Sequence, residues 1–351
     1  MNEELLKHIH ALKSERRPFA LATVINVKGS ASARAGSKAV ITETGKNIFG
    51  WVGGGCAESF VCRQSVEAMG EGRPRIVTAD LDDEIFGLGM PCGGIMDVYI
   101  EPILPQNTIQ ITGNDKLSAR VAWLAEGIGY RVLKTANEET DLVWNSPTHD
   151  IHDDELSKFA VLGLAGLLRR KRSLEPMAMS KSKGVHEAST LAPQSAVKNP
   201  KILILGSSRI TEELARLSAT LGFETTVDGP ISEPELYPKT AKLVLDDPGF
   251  ERLEVDLNTF VIIAAHHKGD HIALMKSLRA GCAYVSLVAS AKRSKLVFEH
   301  VIEEGVTPEE LARVRAPAGV ELKCEAPAEI ALSILTEILV LNGIDRLNLF
   351  Q

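Results

Sequence analysis

The strongest constraint on the fold is an alternation of strand and helix patterns in the C-terminal part of the sequence. "KILILG" is a short apolar run that ends at a glycine, "ITEELARLSATLGF" has the period of an amphipathic helix, and "ETTVDG" is a second strand ending at Asp228. Two more apolar strands, "TFVIIAA" and "AYVSLVAS", are separated by another helical segment. Strands that alternate with helices form parallel sheets with helices on both faces. We therefore predict a Rossmann-like domain with a parallel sheet over residues 200–351.

The first 105 residues predict a different unit, an N-terminal α+β domain. Apolar residues recur at helical spacing near the start, at Leu5, Leu6, Ile9 and Leu12. Segments rich in β-branched residues predict strands at "FALATVINV", "KAVITE", "NIFGWV", "RIVTADL" and "IMDVYIE". A second helix is predicted from about residue 56 to residue 69. The whole chain is therefore expected to be of the α/β class.

The middle of the chain, residues 106–171, contains a possible degenerate strand–helix–strand repeat. "TIQITGNDKLSARVAWLAEGIGY" aligns without a gap on "KILILGSSRITEELARLSATLGF". The match has two interpretations: duplication of half a domain, or the pattern common to any strand–helix–strand unit. Residues 172–199 mix Ser, Lys, Met and Pro without periodicity, which predicts a flexible linker.

Composition excludes several function classes. Among the 351 residues, 44% are hydrophobic and 24% are charged, and the net charge is -7. This balance argues against a broad nucleic-acid or membrane-surface role. No apolar run reaches about 18 residues, and the opening segment lacks the apolar core of a signal peptide. We therefore expect a cytoplasmic protein with no nucleic-acid and no membrane partner.

The five cysteines are widely spaced and include no C-x-x-C pair. A structural zinc site and a disulfide framework are therefore not expected. The thiols have to be considered one at a time. Cys62 lies six residues after Cys56, on another face of the same predicted helix, and is expected to belong to the core.

The stretch "GWVGGGCAES" joins a predicted strand to a predicted helix. Gly53, Gly54 and Gly55 run directly into Cys56. A glycine-rich turn before a helix exposes backbone N–H groups, and a thiol in the first helical turn has its pKa lowered. Cys56 would then be able to bind a soft metal or take part in sulfur chemistry. The alternative is a tight turn with an inert, buried cysteine.

A second glycine-rich loop, "FGLGMPCGG", repeats these ingredients. It ends in Cys92, Gly93 and Gly94. The repetition of a thiol beside glycines favours a site shared by the two loops.

The turn after "KILIL" departs from the dinucleotide fingerprint G-x-G-x-x-G. Only Gly206 is present, and Ser207, Ser208 and Arg209 follow it. Asp228 occupies the position where a ribose-binding acid is expected. The fold is therefore supported better than NAD(P) binding, and Arg209 is an alternative phosphate ligand.

The segment "AAHHKGDH" follows a buried strand and lies where doubly wound folds bind ligands. His266, His267, Asp270 and His271 offer a metal-binding or acid–base cluster. The alternative is that Asp270 caps the next helix and the histidines are solvated.

Taken together, these segments resemble the XdhC/CoxI family, the accessory proteins of molybdenum hydroxylases such as xanthine dehydrogenase. The matching blocks occur in family order: "FALATVINVKGSASARAGSKAVI", "GWVGGGCAES", "DDEIFGLGMPCGGIMDVYIEP", "TFVIIAAHHKGDHIALMKSLRAGCAYVSLVASAKRSKLV" and "ARVRAPAGVELKCEAPAEIALSILTEIL". The resemblance covers about residues 1–104 and 200–342. It implies a chaperone that binds molybdenum cofactor, protects it during sulfuration by a cysteine desulfurase and inserts it into its client.

The resemblance also assigns residues. It places the family's cofactor-site cysteine at Cys56 and the second-loop CGG at residues 92–94. The thiolate of Cys56 would then lie close to the metal or to the sulfur being delivered. This chain departs from the family at three places: alanines surround Arg34 where a serine–proline–arginine loop is expected, Gly206-Ser207-Ser208-Arg209 replaces a GxGH-like turn, and a middle segment is inserted.

The resulting hypothesis is a non-catalytic carrier that binds molybdenum cofactor transiently. Backbone N–H groups at residues 53–55 would hold an anionic or polar edge, Arg34 would neutralise phosphate, and Cys92 would line the far side. A molybdenum hydroxylase client, a cysteine desulfurase and a second copy of the chain are the expected partners. The alternatives are an NAD(P)-linked oxidoreductase that uses the C-terminal domain, and a metal-dependent hydrolase or scaffold built on residues 266–271.

Overall fold

A computed structural model describes residues 3–29, 33–80, 94–134, 140–146, 153, 155–171, 200–245, 247–265, 269–324 and 326–342. The chain divides into two compact units, residues 1–106 and 107–351. The predicted linker, residues 172–199, lies outside the described residues.

The N-terminal unit combines two helices with an antiparallel sheet. Its elements are α1 (Glu3–Ser14), β1 (Phe19–Gly29), β2 (Lys38–Thr42), β3 (Asn47–Gly50), α2 (Gly55–Glu71), β4 (Arg75–Asp80) and β5 (Gly94–Ile103). The strand order is β3-β2-β1-β5-β4, and every neighbouring pair is antiparallel. The predicted α+β character of this unit is confirmed.

The two helices of this unit have separate cores. Alternate residues of the central strands, among them Ala22 and Val98, are buried with Val61 of α2 in one cluster. Leu5 and Leu12 of α1 pack with Phe19 and Val40 in another. This burial pattern follows because successive strand side chains point to opposite faces of the sheet.

The second unit begins with a small three-stranded parallel sheet. Its elements are β6 (Thr108–Thr112), α3 (Lys116–Gly127), β7 (Arg131–Leu133), β8 (Leu142–Asn145) and α4 (Leu156–Lys171), with strand order β7-β6-β8. Neither β8 nor α4 was predicted from the sequence.

The remaining elements form a doubly wound sheet. They are β9 (Lys201–Leu205), α5 (Arg209–Thr220), β10 (Glu224–Gly229), β11 (Lys242–Leu245), β12 (Thr259–Ile263), α6 (Asp270–Ala280), β13 (Tyr284–Leu287), α7 (Ala291–Glu303), α8 (Pro308–Leu311), β14 (Val314–Arg315) and α9 (Pro327–Leu341). The parallel order β11-β10-β9-β12-β13-β14 corresponds to the Rossmann order 3-2-1-4-5-6. The Rossmann prediction is confirmed, and the strand order reverses between β9 and β12.

The aligned segments of the middle and C-terminal parts have matching structures. β6 and β9, and α3 and α5, begin and end at positions that the ungapped alignment pairs. The glycines after the first strands, Gly113 and Gly206, have φ of 121° and 126°. The helix N-caps are Asp115 and Ser208, and each side chain accepts a backbone N–H three residues later.

The middle segment shares one hydrophobic core with the Rossmann sheet. Ile109 and Leu164 belong to the same buried cluster as Ile202 and Leu335. Arg169 of α4 donates a hydrogen bond of 2.6 Å from Nη1 to the carbonyl oxygen of Glu321. Within the described residues, no helix combines the length and apolar composition needed to cross a bilayer.

Candidate functional site

Five strand ends of the N-terminal unit lie at the same end of its sheet. The antiparallel registers that establish this are Thr23 with Lys38, Ala39 with Gly50, Gly29 with Gly94 and Asp80 with Ile95. These pairs put the carboxyl ends of β1, β3 and β4 beside the amino ends of β2 and β5. The strand ends that border segments 30–37 and 81–93, and the end of β3 that leads into residues 51–54, therefore lie at one end of the sheet, which we call the loop end.

Adjacent residues of the chain hold two of these loops. The carbonyl of Ser37 accepts a 2.9 Å bond from the N–H of Val24, and the carbonyl of Lys38 accepts a 2.8 Å bond from the N–H of Trp51. The first bond fixes the loop that carries Arg34, and the second fixes the chain that enters α2. The two predicted site segments therefore meet at the start of β2.

Arg34 lies in a tight turn of its loop. Its carbonyl accepts the N–H of Ser37 at 2.9 Å, and its own N–H donates to Ser37 Oγ at 3.3 Å. The residue is exposed, and its guanidinium makes no ion pair with another described residue. The cation at the loop end is thus available to an anionic ligand.

Glycine is required where β3 turns into α2. Gly50 has φ of 81°, and a Cβ atom there would lie 2.0 Å from the Lys38 carbonyl oxygen. Val52 is fully buried, so it anchors the turn in the core beneath α2. Gly53 has φ of 125°, a region that side-chain-bearing residues rarely occupy.

The N-cap residue of α2 provides no side-chain cap. Gly54 is the N-cap, and a glycine has no side chain to accept the first-turn N–H groups. Gly55 and Cys56 are the first two helical residues, which places the backbone of Cys56 in the positive end of the helix dipole. The side chain of Cys56 lies outside the described part, so its lowered pKa stays a prediction.

The second glycine-rich loop lies almost entirely beyond the described part of the chain. Cys92 and Gly93 are outside the described residues, so their place in the site stays a prediction. Gly94 is the first residue of β5 and pairs with Gly29, which puts its backbone at the loop end.

A polar link between β3 and α2 was not predicted from the sequence. Asn47 Nδ2 donates a 2.6 Å hydrogen bond to Glu58 Oε1 and a 3.1 Å bond to the Gly50 carbonyl, and Asn47 Oδ1 accepts the Phe49 N–H at 3.2 Å. This link holds the first turn of α2, two residues beyond Cys56, against the strand that precedes the glycines. The available signal was the acid in the first turn of a predicted helix.

Cys62 belongs to the packing side of α2. It is half-buried and lies against the core beneath the helix. Burial raises the pKa of its thiol, and the nearby carboxylate of Glu58 raises it further. Cys62 is therefore a protonated packing residue at neutral pH.

In the Rossmann sheet, Gly206 follows β9, at the point where the strand order reverses. A Cβ at this position would lie 2.3 Å from the Ala264 carbonyl oxygen. The Gly206 N–H donates to the Asp228 carbonyl oxygen at 2.8 Å. Gly206 therefore serves close backbone approach between strands.

The start of α5 is capped from within the protein. Ser208 Oγ accepts the Thr211 N–H at 3.4 Å, and Thr211 Oγ1 accepts the Ser208 N–H at 2.8 Å and contacts Tyr237 Oη at 3.0 Å. Arg209 pairs with Glu212 at 2.6 Å. In a dinucleotide fingerprint, glycines at positions 208 and 211 would leave room for the pyrophosphate and for close helix packing. These side-chain contacts do not favour an NAD(P)-linked oxidoreductase.

Asp228 is a buried acid at the carboxyl end of β10. It is 1% exposed, and its Oδ1 has no hydrogen-bond partner in the described part of the chain. Burial, followed by the charge of Asp247, raises its pKa to about 6, although Arg252 opposes the shift. A buried polar atom without a hydrogen-bond partner lowers the stability of the fold. That Asp228 contacts a ligand therefore stays a prediction.

Asp270 follows β12 at the start of α6. It is 2% exposed, and its Oδ2 accepts a bond of 3.0 Å from Nε of Arg293 and a second from Nη2. Its Oδ1 has no partner in the described region. The N-cap of α6 is Gly269, so Asp270 is not the helix cap, and its partner Arg293 lies 23 positions away. His266 and His267 lie outside the described residues.

Two family models match this chain. The model of the XdhC and CoxI family matches residues 12–80, and that of the XdhC Rossmann domain matches residues 202–338. Together the two matches span more than half of the sequence. They fall on the loop-end unit and on the six-stranded parallel sheet.

Three curated proteins are similar over most of this chain. "Uncharacterized protein YqeB" of Escherichia coli (strain K12) is 23% identical over 93% of the chain, which spans only 44% of that protein. A probable xanthine dehydrogenase subunit of Bacillus subtilis (strain 168) is 24% identical, covering 94% of this chain and 95% of that protein. "Molybdenum cofactor insertion chaperone PaoD" of Escherichia coli (strain K12) is 22% identical, covering 91% of this chain and 81% of that protein.

Proposed function

The chain belongs to the XdhC and CoxI family, and from this premise we propose that it binds molybdenum cofactor and inserts it into a xanthine dehydrogenase-type molybdenum hydroxylase. The names of two relatives, a cofactor insertion chaperone and a probable xanthine dehydrogenase subunit, support this proposal. The cofactor is cargo, which the chain receives and hands on.

The observation that carries the proposal is the convergence at the loop end. The loop of the exposed Arg34 is bonded through Ser37, and the chain that enters α2 is bonded through Lys38, the next residue of the chain. The flanks of the segment that carries Cys92, namely Asp80 and Gly94, reach the same end. One ligand could therefore contact elements from all three loops.

The chemistry of this set fits the cargo. The cofactor combines a phosphate, a pterin and a metal bound by dithiolene sulfurs. Arginine and helix-start N–H groups bind anions, and a cysteine thiolate is a soft ligand. Arg34 and the backbone at Gly53–Gly55 would hold the anionic and polar edge, and Cys56 would lie on the metal side.

Sulfuration is the finer part of the proposal. A thiolate at Cys56 would be placed beside the molybdenum ligand that a cysteine desulfurase replaces. We therefore propose that the loop end protects the cofactor during that exchange. We further propose that the protein acts in the cytoplasm as a homodimer, a state that sedimentation would test.

A transfer assay tests the function. The full chain loaded with cofactor is mixed with a cofactor-free xanthine dehydrogenase-type hydroxylase, and the recovery of hydroxylase activity is followed. We expect faster and more complete recovery than with an equal amount of free cofactor. Recovery no better than with free cofactor, together with saturable quenching or enhancement of nicotinamide fluorescence, would favour the oxidoreductase alternative instead.

A further inference from the structure

Two histidines and a glutamate meet between α6 and α7. His271 is the second residue of α6, His300 lies in the last turn of α7, and Glu304 is the C-cap of α7. One nitrogen or oxygen atom from each residue lies within 4.8 Å of the other two. None of these residues belongs to the loop end, so the cluster is independent of the function proposed above.

The distances within the cluster suit a small cation. His300 Nε2 is 3.1 Å from Glu304 Oε1, and these residues are four apart on one helix face. Two ligands bound tetrahedrally to Zn²⁺ at about 2.0–2.1 Å are separated by roughly 3.3 Å. The His300–Glu304 pair therefore already has the spacing of two zinc ligands.

His271 supplies the third ligand. Its ring meets the His300 ring edge to face, with the centroids 4.8 Å apart. A surface ion pair between His300 and Glu304 would need no second imidazole at this position. Two imidazole nitrogens and a carboxylate oxygen are a ligand set typical of zinc sites that keep a fourth position for water.

We propose that His271, His300 and Glu304 form a Zn²⁺ site with three protein ligands. The side chains of His300 and Glu304 are 49% and 42% exposed, so the ion can enter from solvent. His271 is half-buried, so it would bind the ion from the side of the protein. Binding would link the start of α6 to the end of α7. These helices precede and follow β13 of the Rossmann sheet in the chain.

Zinc titration of the full chain tests this site. Chelator-treated wild type and the variants His271→Ala and His300→Ala are titrated with Zn²⁺ against a colorimetric chelator. His10→Ala is the matched control, because His10 is an exposed histidine on α1. We expect one zinc equivalent to disappear in both cluster variants and to persist in the control. Because each protein has the same cysteines, the difference reports this site alone.

A thermal shift gives a second readout. Zinc at one hundred times its dissociation constant is expected to raise the unfolding temperature of wild type by about 4–5 °C. Glu304→Gln keeps the size of the side chain, and it should weaken zinc binding at least tenfold while leaving the metal-free unfolding temperature unchanged. Equal zinc stoichiometry and affinity in wild type, His271→Ala and His300→Ala would overturn the proposal, as would a wild type that binds no zinc at micromolar concentrations.

Discussion

Asn47 in β3 donates a 2.6 Å hydrogen bond to Glu58 in the first turn of α2. The same Asn47 nitrogen also donates to the Gly50 carbonyl, so one side chain bridges both sides of the glycine turn. The start of α2 is thereby held in place although its N-cap is a glycine. Preorganisation of this kind lowers the entropic cost of binding a ligand at the turn.

Replacing Asn47 should loosen this turn. Asn47→Ala removes the bonds to Glu58 and Gly50, and we expect a loss of about 1–2 kcal/mol in the free energy of unfolding. Glu58→Gln is the control, because its amide oxygen still accepts the Asn47 bond. Denaturant unfolding measures both variants. Equal stability of Asn47→Ala and wild type would mean that the bond does not hold the turn.

The glycine at the end of β3 should not tolerate a methyl group. Gly50→Ala would place Cβ 2.0 Å from the Lys38 carbonyl oxygen at a φ of 81°. We expect destabilisation by about 3 kcal/mol or more, because backbone strain and a clash combine. Gly36→Ala is the matched control, since its φ is 90° but no atom lies within 4 Å of its Cβ position. It should cost only about 1–2 kcal/mol. Similar unfolding midpoints for the two variants would contradict the close approach.

Asp228 should reduce stability at neutral pH. Its pKa is raised by burial to about 6, so the folded state binds a proton that the unfolded state releases near pH 4. The resulting penalty grows from about pH 4 to pH 6 and is complete above pH 6. We therefore expect Asp228→Asn to be more stable than wild type by about 2–3 kcal/mol at pH 7.5 and equal to it at pH 3.5.

An acid with the opposite shift serves as the control for this pH dependence. The hydrogen bond from Lys201, followed by those from Thr259 and the Asn258 N–H, lowers the pKa of Asp256 to about 2. Its ionised form stabilises the fold above about pH 4, and this contribution is lost as the pH falls towards 2. Asp256→Asn should therefore be less stable than wild type at pH 7.5. Denaturant unfolding across this pH range checks both signs, and a destabilised Asp228→Asn at pH 7.5 would contradict the assignment.

The buried pair at the start of α6 should depend on both partners. Arg293→Leu leaves the Asp270 carboxylate buried without its cation, and we expect a loss of about 3–5 kcal/mol. Adding Asp270→Asn should recover a large part of that loss. Lys292→Leu, an exposed neighbour on α7, should stay within about 0.5 kcal/mol of wild type. Additive effects of the two pair substitutions in unfolding experiments would show that the residues are not coupled.

Short sequence patterns predicted those strands and helices whose own residues specify them. "KILILG" and the helix after it became β9 and α5 because a buried strand, a glycine and an amphipathic period occur in sequence. The helix α4 was not predicted because its sequence has no distinct polar face. Residues Phe159–Leu164, apart from Gly163, are apolar and buried. A helix buried on most sides lacks the period that identifies an amphipathic one.

Long-range pairings could not be predicted from spacing. The loop end depends on antiparallel registers such as Gly29 with Gly94, 65 residues apart along the chain. The meeting of His271 with His300 likewise depends on how α6 and α7 pack. The ordered motifs suggested which residues would bind the cofactor, and the registers bring the strand ends that border three of those segments to one end of the sheet.

Cofactor retention tests the central claim most directly. Wild type, Cys56→Ala and Cys62→Ala are purified after loading with molybdenum cofactor, and bound molybdenum and pterin are measured per chain. Cys62 lies on the same helix, is half-buried and packs against the core. Cys62→Ala therefore controls for the loss of a thiol. The account predicts that Cys56→Ala loses most of the bound molybdenum while Cys62→Ala retains the wild-type amount. Equal retention by Cys56→Ala and wild type would contradict it.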